Sequence, residues 1–81
     1  MDPTWLTSDI PASVIAAEPA RRRTMHADEV RYRARLYRGL GYDKDFAVFR
    51  CAGNLSWAYE AGGKCPLTKA DITKLVGEIY R

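Results

Sequence analysis

Behind Thr68, the residues Ile72, Leu75, Val76, Ile79 and Tyr80 recur at i, i+3, i+4, i+7 and i+8, a spacing that only an α-helix gathers onto one face. Thr68 is a natural N-cap, and Asp71, three residues on, stands where a capping box places its acidic member. A helix with a single apolar face must bury it, and 81 residues leave room for one core. Two further segments have helical character. They are separated by Gly39-Leu40-Gly41 and Gly62-Gly63, glycine pairs that stop helices and leave short linkers, so consecutive helices should lie as antiparallel neighbours. The expected fold is all-α: a small bundle of three main helices over about 25–38, 44–61 and 69–80, with an irregular or short-helical N-terminal arm. No strand alternation, internal repeat or low-complexity tract competes with this reading.

The first helix is expected to start behind Thr24 as N-cap, with Asp28 and Glu29 early and arginines toward its end, in agreement with the helix dipole. Pro11 and Pro19 should forbid one continuous helix through the preceding residues. The division that follows is an arm over 1–20 and a bundle domain over 21–81. The arm either lies over the core or docks on a partner through Trp5 and Leu6, because large aromatic side chains dominate interface energetics.

Charge is concentrated in the first helix and its approach. Arg21, Arg22, Arg23, Arg31, Arg33, Arg35 and Arg38 stand against only Asp28 and Glu29 between positions 21 and 39, in a chain whose total is +3, so the remainder is slightly acidic. No lysine occurs there. Guanidinium groups favour forked contacts to carboxylate or phosphate, although a G+C-rich coding sequence would give the same bias. On a helical projection Arg31, Arg35 and Arg38 form one stripe, bracketed by Val30, Ala34 and Tyr37 on one side and by Met25, Tyr32 and Leu36 on the other. One flank is enough for the core. The other either stays on the surface, with Asp28 pairing Arg31 and Glu29 pairing Arg33, or meets a partner whose acidic groups the arginines orient.

The second helix carries only Arg50 and Glu60 as charges between Phe46 and Ala61, and is apolar around most of its girth. Val48, Cys51, Ala52, Leu55 and Tyr59 make one face, while Phe46, Gly53 and Trp57 lie nearly opposite with Arg50 beside them. Two neighbouring helices cannot cover both faces. The N-terminal arm or another chain should therefore cover Phe46 and Trp57. Gly53 inside a helix costs about 1 kcal/mol relative to alanine, which calls for close helix packing or for a turn. With a turn at Gly53-Asn54, the segment resembles a DNA-reading helix-turn-helix over about fifteen residues. The implied recognition helix, Leu55 to Ala61, offers Trp57 and Glu60 but no arginine, lysine or glutamine for base edges.

No convergent set of nucleophile and base, paired carboxylates or metal ligands is evident, and the chain is expected to be neither an enzyme nor a cofactor or metal protein. His26 reads as a surface or capping residue of the first turn. Cys51 reads as a small core residue, and Cys65, beside Lys64, as the more exposed thiol. Bridging them is strained: ten helical residues rise about 15 Å and four returning residues reach about 14 Å. No apolar run approaches the roughly 20 residues of a membrane span, and no basic start precedes an apolar block, so the expected location is the cytoplasm.

Two partner classes follow. The first is another protein, or a second copy of the chain, held by Trp5, Leu6, Phe46, Arg50 and Trp57 and oriented by Arg31, Arg35 and Arg38 as in an accessory subunit, adaptor or regulator. The alternative is nucleic acid, its phosphates met by Arg21, Arg22 and Arg23 with Arg31, Arg35 and Arg38.

Overall fold

The computed structural model describes residues 11–81, apart from the side chain of Val14, and those residues form a small all-α bundle without strands. Helix α1 is Ala12–Gly39, α2 is Lys44–Ala58 and α3 is Lys69–Ile79, and each packs against both of the others. The core is aliphatic and small: Val30 and Ala34 of α1, Ala47, Cys51 and Leu55 of α2, and Ile72, Leu75 and Val76 of α3 are all buried.

Helix α3 forms as its sequence predicts. The Thr68 hydroxyl accepts the Asp71 backbone N–H at 3.2 Å, and the Thr68 N–H donates to the Asp71 carboxylate at 2.9 Å, which satisfies two otherwise orphaned donors at the helix start. The Thr68 backbone N–H, and after it the Thr68 side chain, hold the Asp71 carboxyl below its ordinary range.

Helix α2 is capped by Asp43, whose carboxylate accepts the Phe46 N–H at 2.8 Å. It ends at Ala58, ahead of the expected Ala61. Beyond Ala58 the backbone tightens: the Tyr59 N–H reaches the Ser56 carbonyl as well as that of Leu55, and the Glu60 N–H reaches Trp57. Gly62 and Gly63 then take φ of 138° and 84°, a left-handed path that only glycine follows without strain. Gly53 and Asn54 lie inside α2, so no turn interrupts it and the helix-turn-helix likeness does not hold.

Helix α1 differs most from expectation. It begins at Ala12, behind Pro11, and runs without interruption through Pro19, across the boundary expected at 20 and 21. Pro11 initiates rather than breaks. Pro19 removes one backbone donor, the one that would reach the Ile15 carbonyl, but both residues are exposed and water can satisfy the freed group. Across the proline, Glu18 bonds Arg21 and Arg22 in the following turn. Thr24, expected as the N-cap, instead donates its hydroxyl to the Ala20 carbonyl within the helix. At about 1.5 Å per residue α1 spans about 42 Å, which sets the 48 Å long dimension of the molecule.

Candidate protein-interaction surface

The two faces of α2 have different fates. Val48, Cys51 and Leu55 are buried and Ala52 and Tyr59 are half-buried, as their spacing requires. On the far side Trp57 is 78% exposed and Phe49 72% exposed. Phe49, Gly53 and Trp57 follow one another at i, i+4 and i+8, so one outward stripe carries two large aromatics with a glycine between them. A Cβ built on Gly53 meets nothing within 4 Å, so close packing among the described residues does not account for the glycine. Beside the stripe, Arg50 is exposed and makes no ion pair with the described residues.

Phe46, expected on the same uncovered face, is withdrawn from it. Its ring stacks on Tyr42 with centroids 4.2 Å apart and meets Tyr37 edge-on at 5.6 Å. The tight link between α1 and α2 folds Tyr42 back over Phe46, and the Tyr80 hydroxyl pins that link by donating to the Tyr42 carbonyl at 2.7 Å. Among the described residues the cover of Phe46 comes from the loop aromatic Tyr42 together with Tyr37 of α1. Trp5 and Leu6 lie outside the described residues.

On α1 the two flanks of the arginine stripe separate cleanly. Val30 and Ala34 are buried and Tyr37 is half-buried, while Met25, Tyr32 and Leu36 remain exposed, Tyr32 at 66%. The arginines divide as well. Arg31 is drawn into an internal network, 3.2 Å from Asp28 and 3.3 Å from Glu78 of α3, and Arg33 pairs Glu29 at 3.2 Å. Arg35 and Arg38 are exposed and make no ion pair among the described residues. The expected stripe of three thus presents two free guanidinium groups.

Arg21, Arg22 and Arg23 are also engaged. Arg21 and Arg22 share Glu18, whose carboxyl they hold down to about 2, chiefly through the Arg21 and then the Arg22 hydrogen bond. Arg23 donates to the Pro66 carbonyl at 2.9 Å and lies 3.5 Å from Asp71, tying α1 to the start of α3. Between this part of α1 and the α2–α3 loop lies an open cleft of about 710 Å³, bordered by Ile15, Pro19, Arg22, Lys64 and Cys65.

His26 is not the surface residue expected. The early start of α1 places it in mid-helix on the core side, 8% exposed, with Nε2 2.8 Å from the Tyr59 hydroxyl and Nδ1 3.5 Å from Glu29. The His26–Tyr59 hydrogen bond joins α1 to the C-cap of α2. Both cysteines are free; burial raises the Cys51 thiol pKa, and Cys65 is half-buried with Sγ donating to the Leu67 carbonyl at 3.3 Å. Among the described residues no three His, Cys, Asp or Glu side chains gather as a metal site, and no helix is long and apolar enough to cross a membrane.

The exposed Phe49 is the site residue that sequence reasoning passed over. The signal was available, since Phe49 stands four residues before Gly53 and eight before Trp57, opposite the buried line of Ala47, Cys51 and Leu55. No family model, no curated protein and no solved structure matches the chain.

Proposed function

We propose that this is a non-catalytic helical protein of the cytoplasm that acts by binding another protein, as an accessory subunit, adaptor or regulator, without a cofactor. The supporting observation is the outward face of α2, where Phe49 and Trp57 stand in water on a well-formed helix while every large aliphatic side chain of that helix is buried. Burying exposed aromatics against a partner supplies the affinity. Met25, Tyr32 and Leu36 add exposed apolar surface on α1. Arg35, Arg38 and Arg50 supply charge that the described chain leaves unpaired, and acidic groups on the partner would set its orientation. Arg31, committed to Asp28 and Glu78, has a smaller part in this.

Affinity capture followed by mass spectrometry tests the reading, with wild-type chain compared with the Arg35→Glu/Arg38→Glu variant. A protein held by wild type and lost by the variant supports it. Retention of nucleic acid, with affinity falling steeply as salt rises in a titration of labelled oligonucleotides, would instead favour phosphate binding by the arginines.

A further inference from the structure

The outward stripe of α2 has an internal symmetry that selects its occupant. Phe49 and Trp57 lie four residues before and four residues after Gly53, about 6 Å along the axis on either side of it. In an antiparallel pair of helices related by a two-fold axis through Gly53, every residue 53 − n faces residue 53 + n of the other chain. Phe49 then falls on Trp57 of the second copy, and Trp57 on Phe49, while the two glycines meet at the crossing. We infer that the α2 stripe is a homodimer interface in which two copies of this chain pair antiparallel across Gly53.

Three observations support a second copy over an unrelated chain. The open space above Gly53 lets two helix axes approach near the lower end of the usual 8–10 Å, which brings aromatics 6 Å away along the axis into contact. Charge also permits it. Arg50, three residues before Gly53, falls opposite Ser56 of the second copy and not opposite its own counterpart. Lys44 and Arg50 nearly balance Asp43, Asp45 and Glu60, so this segment escapes the repulsion that the basic α1 would create between copies. Finally, an isologous interface needs a patch complementary to itself, and an aromatic-glycine-aromatic stripe of even spacing meets that condition.

The area is modest. Four aromatics of about 150–250 Å² each, exposed by roughly three quarters, bury several hundred Å² together, which places the pair with weak, reversible interfaces. This inference rests on the reading of the chain as a binding protein and deepens it: α2 recruits the second copy, and the dimer presents two sets of Arg35, Arg38, Tyr32 and Leu36 to an outside partner.

Sedimentation velocity of the full chain from about 1 µM to about 1 mM spans the affinities expected of such an interface. Wild type should pass from monomer to dimer. Gly53→Leu, which suits a helix and enters open space, should weaken dimerisation at least tenfold with unchanged circular dichroism, as should Trp57→Ala, while Lys74→Ala on α3 should not. Register is read by oxidation in a Cys65→Ser background. A mixture of Phe49→Cys and Trp57→Cys chains should cross-link one to the other, and neither should cross-link to itself. A wild type that stays monomeric throughout overturns the inference, as does a dimer that survives Gly53→Leu or links Phe49→Cys to Phe49→Cys. Monomeric wild type with Trp57→Ala destabilised would instead assign the stripe to a segment of the same chain, such as that carrying Trp5 and Leu6. A monomer that still captures a protein through Arg35 and Arg38 sinks only the dimer; a dimer that captures nothing sinks only the proposed function.

Discussion

Helices α2 and α3 sit side by side in the bundle, and each carries enough apolar surface for a full face, yet they spend it differently. In α3 the large aliphatic residues are all on one side, three of them buried and Ile79 partly so, and the other side carries the exposed Ala70, Thr73 and Lys74. In α2 the buried line is built from small and medium residues, Ala47, Val48, Cys51 and Leu55, while Phe49 and Trp57, the two most exposed large hydrophobic side chains among the described residues, point away. Size thus runs opposite to burial. A helix selected only to complete an 81-residue core would put Phe and Trp inside, where each contributes most.

The contrast is broken most directly by comparing one substitution on each helix. Ile72→Ala should cost about 3 kcal/mol, since it removes a buried branched side chain and leaves a cavity, a large part of the 5–15 kcal/mol available to a domain. Trp57→Ala, though it deletes far more atoms, should change stability by less than about 0.5 kcal/mol when measured by urea unfolding at concentrations where the chain is monomeric. Comparable losses from both would mean that Trp57 belongs to the fold and the two faces of α2 are not distinct.

Next in size is the cap of α3. Thr68→Ala should cost about 1 kcal/mol by leaving the Asp71 N–H without its acceptor. The same variant should raise the Asp71 pKa only in part, since the Thr68 backbone N–H that chiefly lowers it remains, and NMR titration reads the change. The folded-state pKa of Asp71 is depressed, so its contribution is present above the unfolded value and is lost as pH falls through the lowered one. A Thr68→Ala chain with unchanged acid sensitivity would show that the Thr68 backbone N–H, which the variant keeps, controls Asp71 without help from the hydroxyl.

Gly53→Ala sharpens the comparison from the other side. A buried glycine that allows close packing loses stability when a methyl is added, whereas an exposed one in a helix interior gains. With nothing within 4 Å of the new Cβ, the monomer should gain about 0.5–1 kcal/mol by thermal or urea unfolding. A loss would reveal a neighbour over the α2 stripe.

What could be read beforehand follows from the range of the interactions involved. The α3 helix and its cap are decided within four residues, and Thr68, Asp71 and the apolar repeat were sufficient. The two flanks of α1, Val30 with Ala34 and Tyr32 with Leu36, also follow from spacing, whereas the choice of the first as the buried one comes from the packing of α2 and α3. The start of α1 could not be read in this way, because the rule that proline ends helices weighs one missing donor and a local clash, and gives no weight to an exposed position where water replaces the lost partner. Phe46 was misplaced for a different reason: its cover, Tyr42, comes from a loop whose path no periodicity describes. The pairing of Arg31 with Asp28 is readable from helical spacing, whereas its second partner, Glu78, depends on the packing of α3 against α1.

The N-terminal half of α1 supplies the smallest and most local effect. Unlike the part of α1 beyond Arg23, its residues from Ala12 to Arg22 include no buried side chain among those described, so helix there depends on local bonds, and Glu18 with Arg21 and Arg22 is the main set. These pairs are exposed and screened, so global stability should barely respond to Glu18→Gln. Local helicity should. Because the arginines depress the Glu18 pKa to about 2, its contribution is present above the ordinary glutamate range and is lost as pH falls from there toward about 2. Backbone amide shifts of Ala17 to Arg22 should move with that titration in wild type and lose the response in Glu18→Gln, while the core amides of Val30 and Val76 stay still. A wild type whose helix over Ala12 to Arg22 is insensitive to the loss of Glu18 would place its support elsewhere, in the cleft beside Cys65 and Pro66 that this half of α1 overhangs.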